Sequence, residues 1–130
     1  MPNYDATMEK LVRGNDRDVI RDVSGLPTGI VLTDAWLRVN APNGSSQLFE
    51  KHITTTLVAG EGQIEDAGAG DGVGRIRFEM TAVNTLTMTG GTNAVPTEHA
   101  YGIQVKTSGG KIYEDELGVI PCLEQIVVSS

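Results

Sequence analysis

The sequence predicts an all-β protein, an antiparallel β-sandwich of seven to eight short strands. Turn-forming residues recur about every eight to twelve positions, and the 130 residues include 16 glycines and 5 prolines. Between these turns, apolar and polar residues alternate with the period of two that half-buried strands show. Little of the chain favours a helix. This combination is typical of two packed antiparallel sheets.

The clearest strand lies inside the stretch Gly72–Leu86, where charged and apolar residues alternate. Successive side chains of a strand point to opposite faces of the sheet. One face is therefore predicted to carry Ile76, Phe78 and Met80, and the other to carry Arg75, Arg77 and Glu79. A polar turn is expected after this strand, from Thr81 to Leu86.

The other strands are predicted from the same alternation and from the turn residues between them. In chain order they are Asp16–Val23, Leu32–Val39, Gln47–Val58, Gln63–Asp66, Ala100–Thr107, Lys111–Glu114 and Gln125–Val128. The second of these places Ala35, Leu37 and Val39 on one face, with Trp36, the only tryptophan, over the second face or at a subunit contact. Gly118 and Pro121 are expected to bend the chain.

The N-terminal residues differ from the rest of the chain. Residues 1–14 show no sustained periodicity, and we expect an extended N-terminal arm there, followed by one sandwich domain over residues 15–130. Such arms often lie on a neighbouring subunit in assemblies, whereas in monomers they are usually frayed ends. Truncation of the arm is therefore expected to weaken incorporation into an assembly more than it weakens the fold.

Composition excludes several classes of function. The formal net charge is −7, which argues against nucleic acid and anionic membranes as partners, since phosphate binding needs clustered Lys and Arg. Cys122 is the only cysteine, so no intrachain disulfide and no cysteine-based zinc site is expected. No apolar run approaches the roughly 18 residues of a membrane span, and nothing resembles a signal peptide. We expect the protein to be made in the cytoplasm.

Motifs with catalytic chemistry are not found. The chain has no nucleophile elbow, no Walker motif and no catalytic Cys–His pairing, so no catalytic residue and no cofactor is predicted. An acidic loop among glycines makes calcium binding by Glu65, Asp66 and Asp71 conceivable, with a solvated turn as the alternative, because the spacing matches no EF-hand. His52 and His99 are far apart and have no ligand-spaced partner.

The order of several motifs carries a resemblance. The motifs are Gly14-Asn15-Asp16, Leu32-Thr33-Asp34-Ala35 before the Trp36–Val39 strand, the Gly72–Leu86 stretch, and Ala100–Val105 before a Gly-Gly hairpin. Over Gly14–Val128 this order resembles the immunoglobulin-like β-sandwich domain of tailed-bacteriophage virion proteins, of the type at the N-terminus of baseplate upper proteins. Asp34 replaces the usual glycine, and the segment Thr87–Pro96 is longer than in that pattern.

The resemblance implies a structural protein of the virion and not an enzyme. We expect it to dock, through its arm and sheet edges, onto other virion proteins as a capsid decoration protein or a tail or baseplate adaptor. It would be a homo-oligomer in the particle, made in the bacterial host cytoplasm. The alternative is a small β-sandwich module that binds a carbohydrate or a peptide, with calcium held by the acidic loop.

Overall fold

The computed structural model describes residues 3–44 and 46–125. Nine strands and one short helix occur in these two ranges. They are β1 (Asn3–Thr7), β2 (Leu11–Val12), β3 (Arg17–Val23), β4 (Leu32–Asn40), β5 (Gln47–Ile53), β6 (Gly62–Asp66), β7 (Gly74–Met80), α1 (Ala82–Leu86), β8 (Thr97–Thr107) and β9 (Ile112–Leu123).

The strands form two sheets with an immunoglobulin-like order. The larger sheet runs β1-β9-β8-β4-β5, with β2 also paired to β9, and the smaller sheet runs β3-β7-β6. When β3 to β9 are lettered B, C, C′, D, E, F and G, the sheets become GFCC′ and BED, the arrangement of immunoglobulin domains with an added C′ strand. The predicted fold class, an immunoglobulin-like β-sandwich, is confirmed.

The core lies between the sheets and follows the predicted alternation. Ala35, Leu37 and Val39 of β4 are fully buried against Ile76, Phe78 and Met80 of β7. Tyr101, Ile103 and Val105 of β8 contribute from the centre of the larger sheet. Burial of these side chains removes apolar surface from water, which is the main stabilising contribution in a domain of this size. The residues predicted to share one face of β4 and of β7 therefore do so, and that face is the inward one.

The N-terminal segment is extended, as predicted, but it belongs to the domain's own sheet. β1 and β2 pair in parallel with β9, so that Ala6 lies opposite Gly118 and Leu11 opposite Cys122. Met8 and Leu11 are buried in the core. The division into a separate arm and a domain beginning at residue 15 therefore does not describe this part of the fold, and the larger sheet is mixed instead of purely antiparallel.

Three local expectations are wrong. The predicted turn after β7 contains the helix α1, because the Thr81 side chain and Asn84 satisfy each other's backbone N–H groups in a capping box. β5 ends at Ile53, so the Thr54–Thr56 run does not extend the strand. β9 continues through Gly118 and Pro121, and Pro121 falls between the pairings with β1 and β2, an interruption at which proline is tolerated.

Of the predicted last strand, Gln125–Val128, only Gln125 lies within the described residues. The strand predicted at Lys111–Glu114 is the first part of the longer β9. The remaining strand predictions agree with the structure to within a few residues at each end.

Candidate functional site

The outer face of the larger sheet presents its side chains in rows that cross four strands. Strand pairing gives a first row of His52, Trp36, Gln104 and Glu114. The next row holds Glu50, Arg38, Gly102 and Leu117. Large side chains thus surround a position, Gly102, that has no side chain at all.

A depression lies at this glycine, and we call it the Gly102 notch. Its floor is formed by Ala100 and Gly102, and its walls include Trp36, Glu114 and Leu117. The open space measures about 230 Å³. The conformation of Gly102 does not explain the absence of a side chain, because its φ is not among the positive values found at ten other glycines of the described residues.

Trp36 lies at the edge of the notch and stacks on a histidine. Its ring stacks on the ring of His52, with 5.0 Å between centroids and 7° between planes. The Nε2 atom of His52 lies 2.8 Å from Oδ2 of Asp34, and this hydrogen bond lowers the pKa of Asp34. The sequence analysis left two alternatives for Trp36, a position over the second face of the sheet or a subunit contact. In the structure, Trp36 lies on the outer face of the larger sheet.

Two further polar pairs border the notch. Arg38 donates from Nε and Nη2 to the same carboxylate oxygen of Glu50, at 2.9 and 2.8 Å. The Nε2 amide of Gln104 donates to Oε1 of Glu114 at 2.8 Å. The other oxygen of Glu114, Oε2, lies 3.7 Å from the point where a Cβ on Gly102 would be. Within the described residues, Glu114 forms no ion pair.

The outer face of the smaller sheet has a different character. Arg77 contacts three carboxylates: Glu65 at 3.0 Å, Asp18 at 3.9 Å, and Glu79. The hydrogen bonds that Arg77 donates to Glu79 and Glu65 raise the pKa of Arg77. The predicted charged face of β7 is therefore correct, and Arg77 on this face forms ion pairs with carboxylates of the same domain.

The carboxylates considered for calcium have separate structural roles. Glu65 pairs with Arg77 at 3.0 Å. Asp66 accepts the N–H of Gly68 at 2.8 Å, and Asp71 accepts the N–H of Val73 at 3.0 Å, each two residues along the chain. These are the turn-forming bonds that Asp commonly makes. Across residues 3–44 and 46–125, no group of three or more His, Cys, Asp or Glu is arranged to hold a metal ion.

The two histidines also lie apart. His52 is on the outer face, whereas His99 is fully buried and accepts the N–H of Thr89 on Nε2 at 3.0 Å. Burial lowers the pKa of His99, so the neutral imidazole is favoured. Cys122 is buried as a free thiol. In the part of the chain that the structure describes, no helix is long and apolar enough to cross a membrane.

The comparisons with known proteins identify no family for this chain. No family model matches the chain, and no curated protein matches its sequence. Among solved structures, the chain is similar to a structure of murine CRIg, with 9% sequence identity and a TM-score of 0.37. The match covers 92% of this chain and 92% of that chain. The fold class given above rests on the strand order of the molecule itself.

Neither Trp36 nor Gly102 was predicted as a site residue, although the sequence contained one signal. A glycine inside a clear strand often marks a place where a ligand or another backbone comes close. Gly102 sits in the middle of the predicted strand Ala100–Thr107, so it satisfied that criterion. The neighbouring walls could not be read from the sequence, because they come from four different strands.

Proposed function

We propose that this chain is a non-enzymatic structural protein of a bacteriophage virion that docks on another virion subunit through the outer face of its larger sheet. It serves there as a capsid decoration protein or as a tail or baseplate adaptor. The observation that carries the docking part is the open notch beside the only tryptophan, which lies on the outer face of the larger sheet.

The outer face of the larger sheet has the composition of an interface. Tryptophan is enriched at the energetically dominant positions of protein interfaces, and polar side chains commonly surround such positions. Strand β9 adds exposed apolar surface through Leu117 and Ile112. The smaller sheet offers the exposed side chain of Ile20 among paired charges. A partner that covered either face would have to desolvate ion pairs, which costs free energy, so it is the surface around Trp36 that favours the larger sheet.

One edge of the larger sheet carries a feature that opposes docking. β5 is the outermost strand on one side, and its Lys51 points inward, where Nζ contacts Gly60 O at 2.6 Å and Glu61 at 3.1 Å. An inward-pointing charge on an edge strand opposes pairing with another chain. On the opposite side, β1 and β2 cover the edge of β9, and β1 is itself the outermost strand. A docking surface on the face avoids the obstacle at β5.

The virion part of the proposal is supported by the sequence resemblance over Gly14–Val128. The high negative charge favours solubility before assembly. In the particle we expect several identical copies to occupy symmetry-related positions, which makes the chain a homo-oligomer only in that setting.

Quantitative mass spectrometry of gradient-purified particles from the phage that carries the gene tests this proposal. We expect the chain to co-purify with the virions at a fixed ratio to the major capsid protein. Hundreds of copies per particle would indicate capsid decoration, and tens or fewer would indicate the tail or baseplate. Absence from purified virions would refute the proposal.

A carbohydrate- or peptide-binding module remains the second candidate, and the notch gives it one specific observation. An aromatic ring next to a few convergent polar groups, here Gln104 and Glu114, is a common feature of small-molecule sites. Titration calorimetry with a panel of monosaccharides, with and without millimolar calcium, tests this candidate. Saturable heat would support a sugar site, and a dependence on calcium would restore a role for Glu65, Asp66 and Asp71.

A further inference from the structure

We infer that the Gly102 notch binds an arginine or lysine side chain presented by the virion protein on which this chain docks. The inference rests on the proposed function for the identity of the partner. Its chemistry rests on charge, on the aromatic wall and on the space left by Gly102.

The charges around the notch favour a cation. Glu50 and Glu114 contribute two negative charges at its border, whereas Arg38 contributes one positive charge and is already bound to Glu50. The uncharged amide of Gln104 occupies only Oε1 of Glu114. Oε2, close to the space above Gly102, is therefore the atom best placed to accept a charge-assisted hydrogen bond from a guanidinium or ammonium group.

The wall formed by Trp36 suits the same occupant. His52 covers one face of the indole, and in the cross-strand row the ring stands between His52 and Gln104. The opposite face of the indole is thus directed toward Gln104 of β8, and Trp36 is among the residues that line the notch. A cation over a tryptophan face is attracted by the ring, by about 0.5–1 kcal/mol at exposed sites and more when water is excluded.

The space at Gly102 has the size of one side chain. A Cβ at this position would lie 3.1 Å from Cδ2 of Leu117, the end of a side chain that can move. An L-residue is therefore compatible with the backbone here, and a larger one would fill the notch. Because glycine weakens a strand interior, its presence without a conformational need fits close approach by a ligand.

The experiment uses Trp36 as a built-in reporter, because it is the only tryptophan. The full chain is titrated at constant ionic strength with the capped peptide Gly-Arg-Gly, with Gly-Lys-Gly, and with Gly-citrulline-Gly, which has nearly the shape of the arginine peptide but no charge. We expect a saturable change in Trp36 emission with both cationic peptides, with a Kd in the millimolar range, and at least fivefold weaker binding of the citrulline peptide.

Variants decide which atoms are responsible. Glu114→Gln is expected to weaken arginine binding about fivefold to tenfold, and Gly102→Val is expected to abolish it while thermal unfolding stays cooperative. Asp22→Asn, on the outer face of the smaller sheet, is the matched control and should leave binding unchanged. Proton–nitrogen correlation spectra must locate the perturbation at the Trp36 indole and at Gly102.

The inference is overturned if the arginine and citrulline peptides behave alike, if no titration changes these signals, or if Glu114→Gln leaves binding unchanged. A response to monosaccharides alone would assign the notch to the carbohydrate alternative. Detection of the chain in virions is independent of these titrations, so failure of the cation site and failure of the virion proposal can be told apart.

Discussion

Arg21 and Glu116 join the two sheets of the sandwich. Nε of Arg21 on β3 donates to Oε1 of Glu116 on β9 at 2.9 Å, and Tyr101 donates its hydroxyl group to the other carboxylate oxygen. The Glu116 side chain is only 9% exposed. The Glu116 carboxylate thus receives hydrogen bonds from both sheets. The contact between Arg21 and Glu116 links the two sheets at the side of the sandwich where β3 is the edge strand.

Replacement of Arg21 by alanine should lower the free energy of unfolding by about 2 kcal/mol, because it leaves a buried carboxylate without its charged donor. Urea denaturation followed by circular dichroism measures this difference. Arg75→Ala is the matched control, since Arg75 and Asp22 form a solvent-exposed pair, which is generally worth about 0–1 kcal/mol. Equal losses in the two variants would contradict a structural role for the bridge between sheets.

Asp115 should make stability depend on pH in a definite direction. Burial raises the pKa of Asp115, and the neighbouring charge of Glu116 adds to this effect while Arg21 opposes it. A raised pKa means that the folded state holds the proton more tightly. The contribution of Asp115 to stability is therefore greatest below the unfolded-state pKa of about 3.9 and declines as the pH rises through the folded-state pKa.

Asp115→Asn removes this titration. At pH 7 the variant should be more stable than the parent chain, and the difference should shrink toward zero near pH 3. Thermal unfolding across this pH range, at constant ionic strength, provides the measurement. A variant that is less stable than the parent at pH 7 would show that the ionised carboxylate is stabilising in the folded state.

The N-terminal strands should be required for folding. Leu11→Ala should lower the free energy of unfolding by about 3 kcal/mol, because Leu11 is 1% exposed and its removal leaves a cavity in the core. Tyr4→Ala, at a position that is 61% exposed, serves as the control. This result would replace the expectation that truncation of residues 1–14 affects assembly more than folding. If Leu11→Ala were as stable as the control, that earlier expectation would be restored.

Thr85 should anchor α1 to the segment before β3. Its hydroxyl group donates to Asn15 O at 2.8 Å and accepts the N–H of Gly14 at 3.0 Å, and the residue is fully buried. Thr85→Val keeps the shape but leaves both backbone groups unsatisfied, at a cost of about 2 kcal/mol. Val83→Thr, on the exposed side of the same helix, should change stability by less than about 0.5 kcal/mol.

The parts of the fold that sequence predicted are those set by local alternation. The inward residues of β4 and β7 follow from a period of two within seven to nine residues. The pairing of β1 with β9 joins residues more than one hundred positions apart, such as Asn3 and Glu116, and no local pattern specifies it. The helix α1 was missed because its capping partner is Asn84, where the usual pattern has Glu or Gln.

The site was less predictable than the fold. Gly102 and Trp36 are neighbours only because β8 and β4 pair in a particular register, and Glu114 and His52 come from the strands on either side. Conversely, Glu65, Asp66 and Asp71 are close in sequence, but each bonds to a different local group. Proximity along the chain is thus a poor guide to convergence in a sandwich, where adjacent residues point to opposite faces.

A cryo-EM reconstruction of the intact particle tests the central proposal most directly. We predict density for this sandwich at a fixed position on the virion, with Trp36 and the Gly102 notch covered by a neighbouring subunit and Arg77 facing solvent. A particle without this density would contradict the virion proposal. A sandwich bound through the Arg77 face, with Trp36 exposed, would contradict the assignment of the docking surface.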